Sequence, residues 1–227
     1  MEIEYSGVCH TQVLECRGYK GKDPFLPHCL GHEGSGVVLE VTPGISRVKV
    51  GQRVILSWMK ASGLDIPGTV YEWQGKKVNA GGVTTFNTLA VVSEDRLTVL
   101  PDAIDSKSAA LIGCAVPTGC GVVFNTASVR PGQSVAVFGA GGIGLCSIQA
   151  AAASGAYPII AVDLLDEKLS LASRMGATHC LSAKEPGVAE RIKEIVKGGV
   201  DYAIEATGRP QVMLEALKSV RNQVWLS

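Results

Sequence analysis

The pattern of apolar and polar positions changes near Lys107 and predicts a different kind of structure on each side of it. Before Lys107, short apolar runs broken by glycine and proline predict β-strands over residues 34–41, 53–58, 89–93 and 97–100. Residues 61–79 show no clear period and predict an irregular loop. After Lys107, apolar runs alternate with helical patterns. This alternation favours an α/β class with a parallel sheet that carries helices on both faces.

The elements of this second part can be placed individually. Strands are predicted over residues 134–138, 158–163, 179–182, 200–205 and 223–226, and helices over residues 143–154, 167–175, 188–197 and 210–220. Each helix lies between two strands, which is the order of a Rossmann-type doubly wound sheet. Five strands are predicted, one fewer than the six of that arrangement.

Composition allows a sizeable core and excludes some partners. Hydrophobic residues make up 46% of the 227 residues and charged residues 19%, and the formal net charge is +0. Because the chain has no basic run, we expect no nucleic acid partner. Residues 131–162 carry no charge and are long enough to suggest a membrane span. They are rich in Gly, Ala and Ser, however, and a strand, a turn and a buried helix explain them better, so we expect no membrane span.

The cysteines favour a reducing compartment. There are seven, an odd number, scattered and without a CxxC pair, which argues against a disulfide framework. The first ten residues, MEIEYSGVCH, contain acidic side chains and no apolar run of the kind a signal peptide needs. We therefore expect a cytoplasmic protein.

A glycine turn follows the strand predicted at residues 134–138. Its sequence is Gly139-Ala140-Gly141-Gly142-Ile143-Gly144, which fits G-x-G-x-x-G. Gly139 permits a tight turn, Gly141 lets backbone approach a pyrophosphate, and Gly144 lets the next helix pack closely on the strand. The helix N-terminus then offers N–H groups and partial positive charge to phosphates.

An acidic residue completes this pattern. Asp163 ends the next predicted strand, nineteen residues after Gly144. A carboxylate there accepts hydrogen bonds from a ribose diol and repels a 2′-phosphate, so NAD is favoured over NADP. The alternative is a glycine-rich turn in another α/β protein, with Asp163 as a surface acid.

Three possible metal ligands lie far apart in the sequence: Cys9, His32 and Cys114. Taken singly, each is explained by packing, because cysteine is often buried and a lone histidine is often hydrogen-bonded in a core. Spacing alone does not join them. The surrounding segments do, since in order they resemble the zinc-dependent alcohol dehydrogenases of the medium-chain dehydrogenase/reductase family: GVCHT, LGHEGSGVV, GQRVI, LIGCAVPTG, VAVFGAGGIG and VDYAIEATG.

The resemblance implies a mainly-β GroES-like catalytic domain over residues 1–116 and an NAD-binding Rossmann domain over residues 117–227, both incomplete. It implies that Cys9, His32 and Cys114 ligate one catalytic zinc, and that the substrate is a small alcohol, or an aldehyde or ketone in reverse. It also assigns Thr11 to proton transfer and Glu33 to the metal's surroundings. The remaining assignments are to NAD, with backbone contacts from the glycine turn: His10, Thr118, Gly139, Gly141, Gly142, Ile143, Gly144, Asp163 and Lys168.

The chain departs from the family pattern at several places. Many members hold a second, structural zinc with four closely spaced cysteines, but residues 61–82 contain no cysteine, and we predict no structural zinc. The loop there, with Tyr71 and Trp73, either lines the substrate entrance or simply packs. Gln12 stands where an Asp commonly orients the zinc-bound histidine, and its amide offers a neutral acceptor to His32.

The resemblance also predicts that both ends are truncated, and that the parent protein is a homodimer or homotetramer. Two alternatives to an NAD-dependent zinc alcohol dehydrogenase stay open. One is a zinc-free quinone or enone reductase of the same superfamily, and the other is an inactive, truncated NAD-binding module.

Overall fold

Two sheets of different kinds organise the chain. The computed structural model describes residues 1–222, and the chain divides into two units, Met1–Ala115 and Val116–Ser227. The first unit is built on antiparallel strands and the second on parallel strands, which confirms the predicted fold class.

The first unit contains a four-stranded antiparallel sheet in the order β1-β2-β3-β6. Its strands are β1 (Glu2–Ser6), β2 (Glu33–Val37), β3 (Arg53–Ser57) and β6 (Leu97–Val99). Successive side chains of a strand point to opposite faces. Accordingly, Val54 and Leu56 of β3 pack in one cluster, and Ile55 packs in another with Leu100 and Ala109.

The loop predicted over residues 61–79 is wrong for residues 69–79, where the structure forms a hairpin, while residues 61–68 are irregular as predicted. Strands β4 (Thr69–Trp73) and β5 (Lys76–Gly81) pair antiparallel across Gln74 and Gly75. Both turn residues have positive φ, 50° and 72°. A two-residue turn with positive φ at both positions matches the twist of a hairpin, and Gln-Gly serves here in place of the more usual Asn-Gly.

The strand predicted over residues 89–93 is also wrong. The segment forms only an isolated antiparallel bridge, between Leu89 and Glu2, held by Ile3 N donating to Thr88 O and Ala90 N donating to Met1 O. The next donor, Val91 N, goes instead to the Tyr71 hydroxyl at 2.9 Å. Pairing with β1 therefore stops at one bridge, and no ladder forms.

Helices occur in places where no helix was predicted. They are α1 (His10–Cys16), α2 (Ser106–Ala109) and α3 (Ala115–Gly121), with a 3₁₀ turn at Ala110–Gly113 between the last two. Gln12 occupies the third helical position after Cys9, which is the spacing of a capping box. The Asp105 side chain accepts a hydrogen bond from Ser108 N at 2.9 Å and so caps α2.

The second unit follows the sequence prediction within about two residues at most element ends. Its sheet is parallel, in the order β10-β7-β8-β9 among the described residues. The strands are β7 (Val135–Phe138), β8 (Ile159–Asp163), β9 (His179–Ser182) and β10 (Tyr202–Glu205), and the helices are α4 (Gly142–Ala153), α5 (Asp166–Arg174), α6 (Val188–Ile195) and α7 (Pro210–Ser219). The strand predicted over residues 223–226 lies outside the described residues.

Both faces of this sheet are buried. Val135 and Val137 of β7 pack in one apolar cluster with residues of α4, while Ala136 and Phe138 pack in a second cluster with residues of α6 and α7. A strand that is apolar on both sides belongs between two helical layers. Because the strands are parallel, their carboxyl ends meet at one edge of the sheet, and the glycine turn lies there.

In the described part of the chain, no single helix is long and apolar enough to cross a membrane. One bent pair, Ser106–Gly113 with Ala115–Thr126, meets that test by length and composition only.

Candidate functional site

Three potential metal ligands meet in the first unit. Cys9 lies directly before α1, His32 lies directly before β2, and Cys114 lies between the 3₁₀ turn and α3. One sulfur from each cysteine and one nitrogen from His32 all lie within 4.8 Å of one another, and His32 Nε2 is 3.3 Å from Cys114 Sγ. The structure thus brings together side chains that are separated by up to 105 positions in the sequence.

This spacing fits zinc. Two sulfurs and one nitrogen at ordinary zinc–ligand distances around a tetrahedral centre are about 3.6–3.8 Å apart. The one measured separation, 3.3 Å between His32 Nε2 and Cys114 Sγ, is close to that value, and no separation within the cluster exceeds 4.8 Å. Two thiolates and one imidazole are also a known catalytic set, in which a fourth position is left for water or substrate.

The environment favours a neutral imidazole. Burial lowers the pKa of His32, an effect opposed by Glu15, and Lys20 lowers the pKa further. A neutral ring keeps a nitrogen lone pair for a metal. Two thiolates beside a neutral imidazole would balance the charge of a divalent cation.

Glu33 is a buried carboxyl next to this cluster, 2% exposed. Its Oε2 accepts a hydrogen bond from Ala115 N at 3.3 Å. Burial raises the pKa of Glu33, and backbone N–H groups of Ala115 and Cys114 partly offset the rise. A nearby cation would favour the charged form, so this carboxyl suits a position beside a metal.

Two glycines make room for Glu33. A Cβ on Gly7 would lie 2.5 Å from Glu33 Oε1, and a Cβ on Gly113 would lie 2.9 Å from Glu33 Cβ and 2.0 Å from Leu56 O. The carbonyl of Gly113 also accepts a hydrogen bond from Ser57 Oγ at 2.7 Å. Each glycine lies one or two residues before a cysteine of the cluster, so the close packing that holds Glu33 also places Cys9 and Cys114.

Gln12 supports the cluster by accepting hydrogen bonds from backbone N–H groups next to the ligands, and not from the imidazole ring of His32. Its buried amide lies between Cys9 and the Gly31–His32 backbone. With the oxygen towards Gly31, it accepts from Gly31 N at 2.6 Å and His32 N at 3.3 Å; in the reverse orientation it accepts from Cys9 N at 3.3 Å. Either way the amide fixes main chain beside two of the ligands.

A cavity of about 460 Å³ opens beside His32 within the first unit. Polar side chains of Gln12, Glu15, His28 and Asn79 line part of it, and the β4–β5 hairpin supplies one wall. Tyr71 ties that hairpin to Val91, as described above. The hairpin therefore borders the space next to a metal ligand, although Tyr71 and Trp73 are not among the lining residues.

The glycine turn of the second unit has the geometry expected from its sequence. Gly139 has a φ of +94°, which favours glycine. A Cβ on Gly144 would lie 1.8 Å from Gly139 O, so only glycine lets α4 approach β7 this closely. A Cβ on Gly141 would meet nothing within 4 Å and would instead project into open space. That open space above bare backbone fits a pyrophosphate at the start of α4.

Asp163 is tied to this turn. Its Oδ2 accepts from Ala140 N at 2.7 Å and its Oδ1 accepts from Leu165 N at 2.9 Å. The carboxylate therefore lies at the edge of the sheet, beside the glycine turn. The sequence predicts Asp163 at the end of β8, but not its hydrogen bond from Ala140 N.

The other predicted residues lie on helices of the two units. His10 and Thr11 begin α1 directly after Cys9, with His10 exposed and Thr11 half-buried. Gly142 and Ile143 form the first turn of α4. Thr118 is half-buried in α3, and Lys168 is half-buried in α5.

Both parts of the chain match described protein families. Residues 1–102 match the alcohol dehydrogenase GroES-like domain, and residues 142–223 match the zinc-binding dehydrogenase family. The two matches occur in the order that the sequence segments predicted.

Curated relatives and solved structures agree with these two family matches. The chain is 36% identical to S-(hydroxymethyl)glutathione dehydrogenase of Synechocystis sp., over 96% of this chain and 66% of that protein. It resembles the crystal structure of benzyl alcohol dehydrogenase from Acinetobacter calcoaceticus with a TM-score of 0.84 and 30% identity, over 97% of this chain and 66% of that one. An alcohol dehydrogenase zinc-binding domain protein from Burkholderia ambifaria gives a TM-score of 0.82 and 32% identity, over 96% and 66%.

The chain thus spans about two thirds of the length of the relatives it matches. Within that span it keeps both matched domains, the cysteine–histidine cluster and the glycine turn. The chain belongs to the zinc-dependent alcohol dehydrogenases of the medium-chain dehydrogenase/reductase family.

Proposed function

We propose that this chain is part of a zinc-dependent oxidoreductase that transfers a hydride between an alcohol and NAD, or from NADH to an aldehyde or ketone. The observation that carries the proposal is the meeting of Cys9, His32 and Cys114, with ligand atoms within 4.8 Å of one another, in a chain that also holds a dinucleotide turn.

Cys9, His32 and Cys114 would hold one zinc and leave one position for the alcohol oxygen. When bound, zinc supplies a Lewis acid that lowers the pKa of that oxygen. The two thiolates would balance the charge of the cation, since burial lowers the pKa of His32 and favours its neutral form. Glu33 adds a further carboxyl that is buried beside the cluster and held by Ala115 N.

Thr11 is assigned to proton transfer. It occupies the first turn of α1, two residues after Cys9, and its hydroxyl can both accept and donate a hydrogen bond, as a group that relays a proton must. The deprotonated alcohol can then lose a hydride. His10 lies beside Thr11 and is exposed, and we assign it to the pyrophosphate of NAD.

The second unit would bind NAD through the glycine turn. Backbone N–H groups of Gly142, Ile143 and Gly144 at the start of α4 suit the pyrophosphate. Asp163 is assigned to the adenosine ribose, with Lys168 near it, and Thr118 to the nicotinamide end. When bound, NAD supplies the ring that accepts the hydride.

We further propose that the catalytic zinc is the sole zinc. Structural zinc sites are built from four closed ligands, most often cysteines. Residues 61–82 contain no cysteine, and the structure forms the β4–β5 hairpin there.

Of the alternatives, a zinc-free reductase gives no role to two cysteines and a histidine placed at zinc-ligand spacing. The inactive module gives no role to the cluster at all. For the whole protein, the family resemblance supports a homodimer or homotetramer acting on a small molecule.

The substrate is an alcohol, and the assay that tests the proposal also identifies its class. The full reading frame is incubated with NAD and a panel of primary alcohols, secondary alcohols, polyols and S-(hydroxymethyl)glutathione, with and without a chelator. NADH formation with at least one member, lost on chelation, is expected. A parallel reaction supplies NADH or NADPH with quinones and enones. Chelator-insensitive oxidation of the coenzyme there, with no alcohol oxidised in the NAD reactions, would favour the zinc-free reductase.

A further inference from the structure

The segment that follows β10 lies against the glycine turn. Glu205 ends β10 beside Phe138, and Ala206 N donates to Phe138 O at 2.9 Å. The chain then passes Gly139 so closely that a Cβ on Gly139 would lie 2.8 Å from Thr207 Cγ2. Residues 206–209, called here the β10–α7 loop, therefore touch the first glycine of the turn.

Glu205 holds this loop in shape. Its Oε1 accepts from Thr207 N at 2.7 Å and also from the Thr207 hydroxyl, and its Oε2 accepts from Gly208 N at 3.1 Å. Thr207 Oγ1 in turn accepts from Arg209 N at 3.2 Å. One carboxylate and one hydroxyl thus bind three consecutive backbone N–H groups.

The fold gives this arrangement a functional place. In an open parallel sheet, ligands bind beyond the carboxyl ends of the strands. The β10–α7 loop lies at that edge, and Glu205 is only half-buried, so the carboxylate adds little to the core. Gly139 sets the path of the turn that would receive the pyrophosphate, and it has no side chain to resist displacement.

We propose that Glu205 is a positioning residue for NAD. Through Thr207, it keeps the β10–α7 loop against Gly139 and so keeps the glycine turn in its binding geometry. This inference rests on the proposed function, since it takes NAD to be the ligand of the turn. Glu205 need not touch the dinucleotide itself.

The test is a double-mutant cycle on NADH binding, followed by fluorescence of the bound coenzyme. Glu205→Ala removes the acceptor, and Thr207→Val removes the hydroxyl but keeps a methyl group for Gly139. We expect Kd to rise about tenfold for Glu205→Ala and about threefold for Thr207→Val. Because both act through the same contact, the double variant should show about a tenfold rise and not about thirtyfold.

Two further variants separate positioning from general stability. Glu205→Gln keeps the size and one acceptor, so it should restore part of the affinity. Glu185→Ala removes an exposed carboxylate paired with Arg191 in the same unit and should leave Kd unchanged. Thermal unfolding of each variant is measured alongside. A loss of affinity that follows the unfolding temperature and not the presence of an acceptor at position 205 would overturn the inference.

Failure of the inference differs from failure of the proposed function. If wild type binds NADH and Glu205→Ala binds equally well, or if the two effects add fully, Glu205 is not a positioning residue and the proposed function stands. If the wild-type chain fails to bind NADH, the proposed function is overturned together with the inference.

Discussion

Gly141 allows the proposed dinucleotide site to be tested without disturbing the fold. Its backbone has φ −83° and ψ −167°, an extended conformation that alanine also adopts, and an added Cβ meets no atom within 4 Å. Gly141→Ala should therefore fold as well as wild type, or be more stable by about 0.4–1 kcal/mol because the unfolded chain loses freedom. If a pyrophosphate lies against this backbone, the new methyl group occupies its space.

The expected loss of affinity can be estimated from the contacts at risk. Displacing a phosphate from one backbone N–H removes a charge-assisted hydrogen bond of about 1.5–3 kcal/mol. That corresponds to a rise in the Kd for NADH of about ten- to a hundredfold. The assay is a fluorescence titration with NADH, together with thermal unfolding of the same preparation.

Two other glycines of the same unit serve as references. Gly121 has φ −64°, and the atom nearest to an added Cβ would be Asn125 Nδ2 at 3.8 Å. Gly121→Ala should therefore raise stability by about 0.4–1 kcal/mol, as Gly141→Ala does, but leave Kd unchanged. Gly144→Ala would force a Cβ to 1.8 Å from Gly139 O and should cost about 1–3 kcal/mol of stability. If Gly141→Ala binds NADH as tightly as Gly121→Ala, the pyrophosphate does not lie at this turn.

Three further predictions concern single side chains. Cys114→Ser should remove bound zinc and alcohol oxidation but leave the Kd for NADH within about twofold, because the glycine turn lies in the other unit; retained zinc in this variant would refute the ligand assignment. Asp163→Gly should shift the ratio of Kd values towards NADPH by removing a carboxylate that repels a 2′-phosphate, and an unchanged ratio would place Asp163 away from the ribose. His28 is hydrogen-bonded to the Cys29 carbonyl, which raises the pKa of His28 above its ordinary value of 6.5. Its contribution to stability is then complete below about pH 6.5 and is lost as the pH rises through the folded-state pKa. The difference in unfolding temperature between wild type and His28→Asn should therefore shrink from about pH 6 to pH 8. A difference that stays constant over this range would contradict the prediction.

The second unit could be predicted closely from sequence because short stretches of sequence determine its elements. Buried parallel strands are continuous apolar runs, and the helices between them carry a clear period, so β7 and α4 begin within one residue of their predicted starts. The roles of Gly139 and Gly144 in the turn also follow from a local requirement. Gly139 has a positive φ, and Gly144 lies too close to the Gly139 carbonyl for a Cβ, so both positions require glycine.

The first unit could be predicted less well because its order depends on contacts distant in sequence. Nothing near residue 91 indicates that Val91 N donates to Tyr71, and that bond is one reason residues 89–93 do not join a sheet. Two local sequence signals also indicate elements that were not predicted. They are the Gln74-Gly75 pair, which forms the hairpin turn, and the three-residue spacing from Cys9 to Gln12 at the start of α1.

The metal cluster shows the same limit. Each ligand lies at the end of a different element, so no spacing rule connects Cys9 with Cys114, and only the family resemblance joined them in sequence. Tertiary packing places them, through the buried Glu33 and the glycines at positions 7 and 113 that leave it room. That packing is encoded by the whole unit and not by any short segment.

Zinc content tests the central claim most directly. The purified protein, after gel filtration in buffer free of added metal, is measured by atomic emission for zinc per chain. Zinc bound by Cys9, His32 and Cys114, with no structural site, predicts about one equivalent. Less than about a tenth of an equivalent, in protein that is folded and binds NADH, would contradict the account; two equivalents would contradict the proposal of a single zinc.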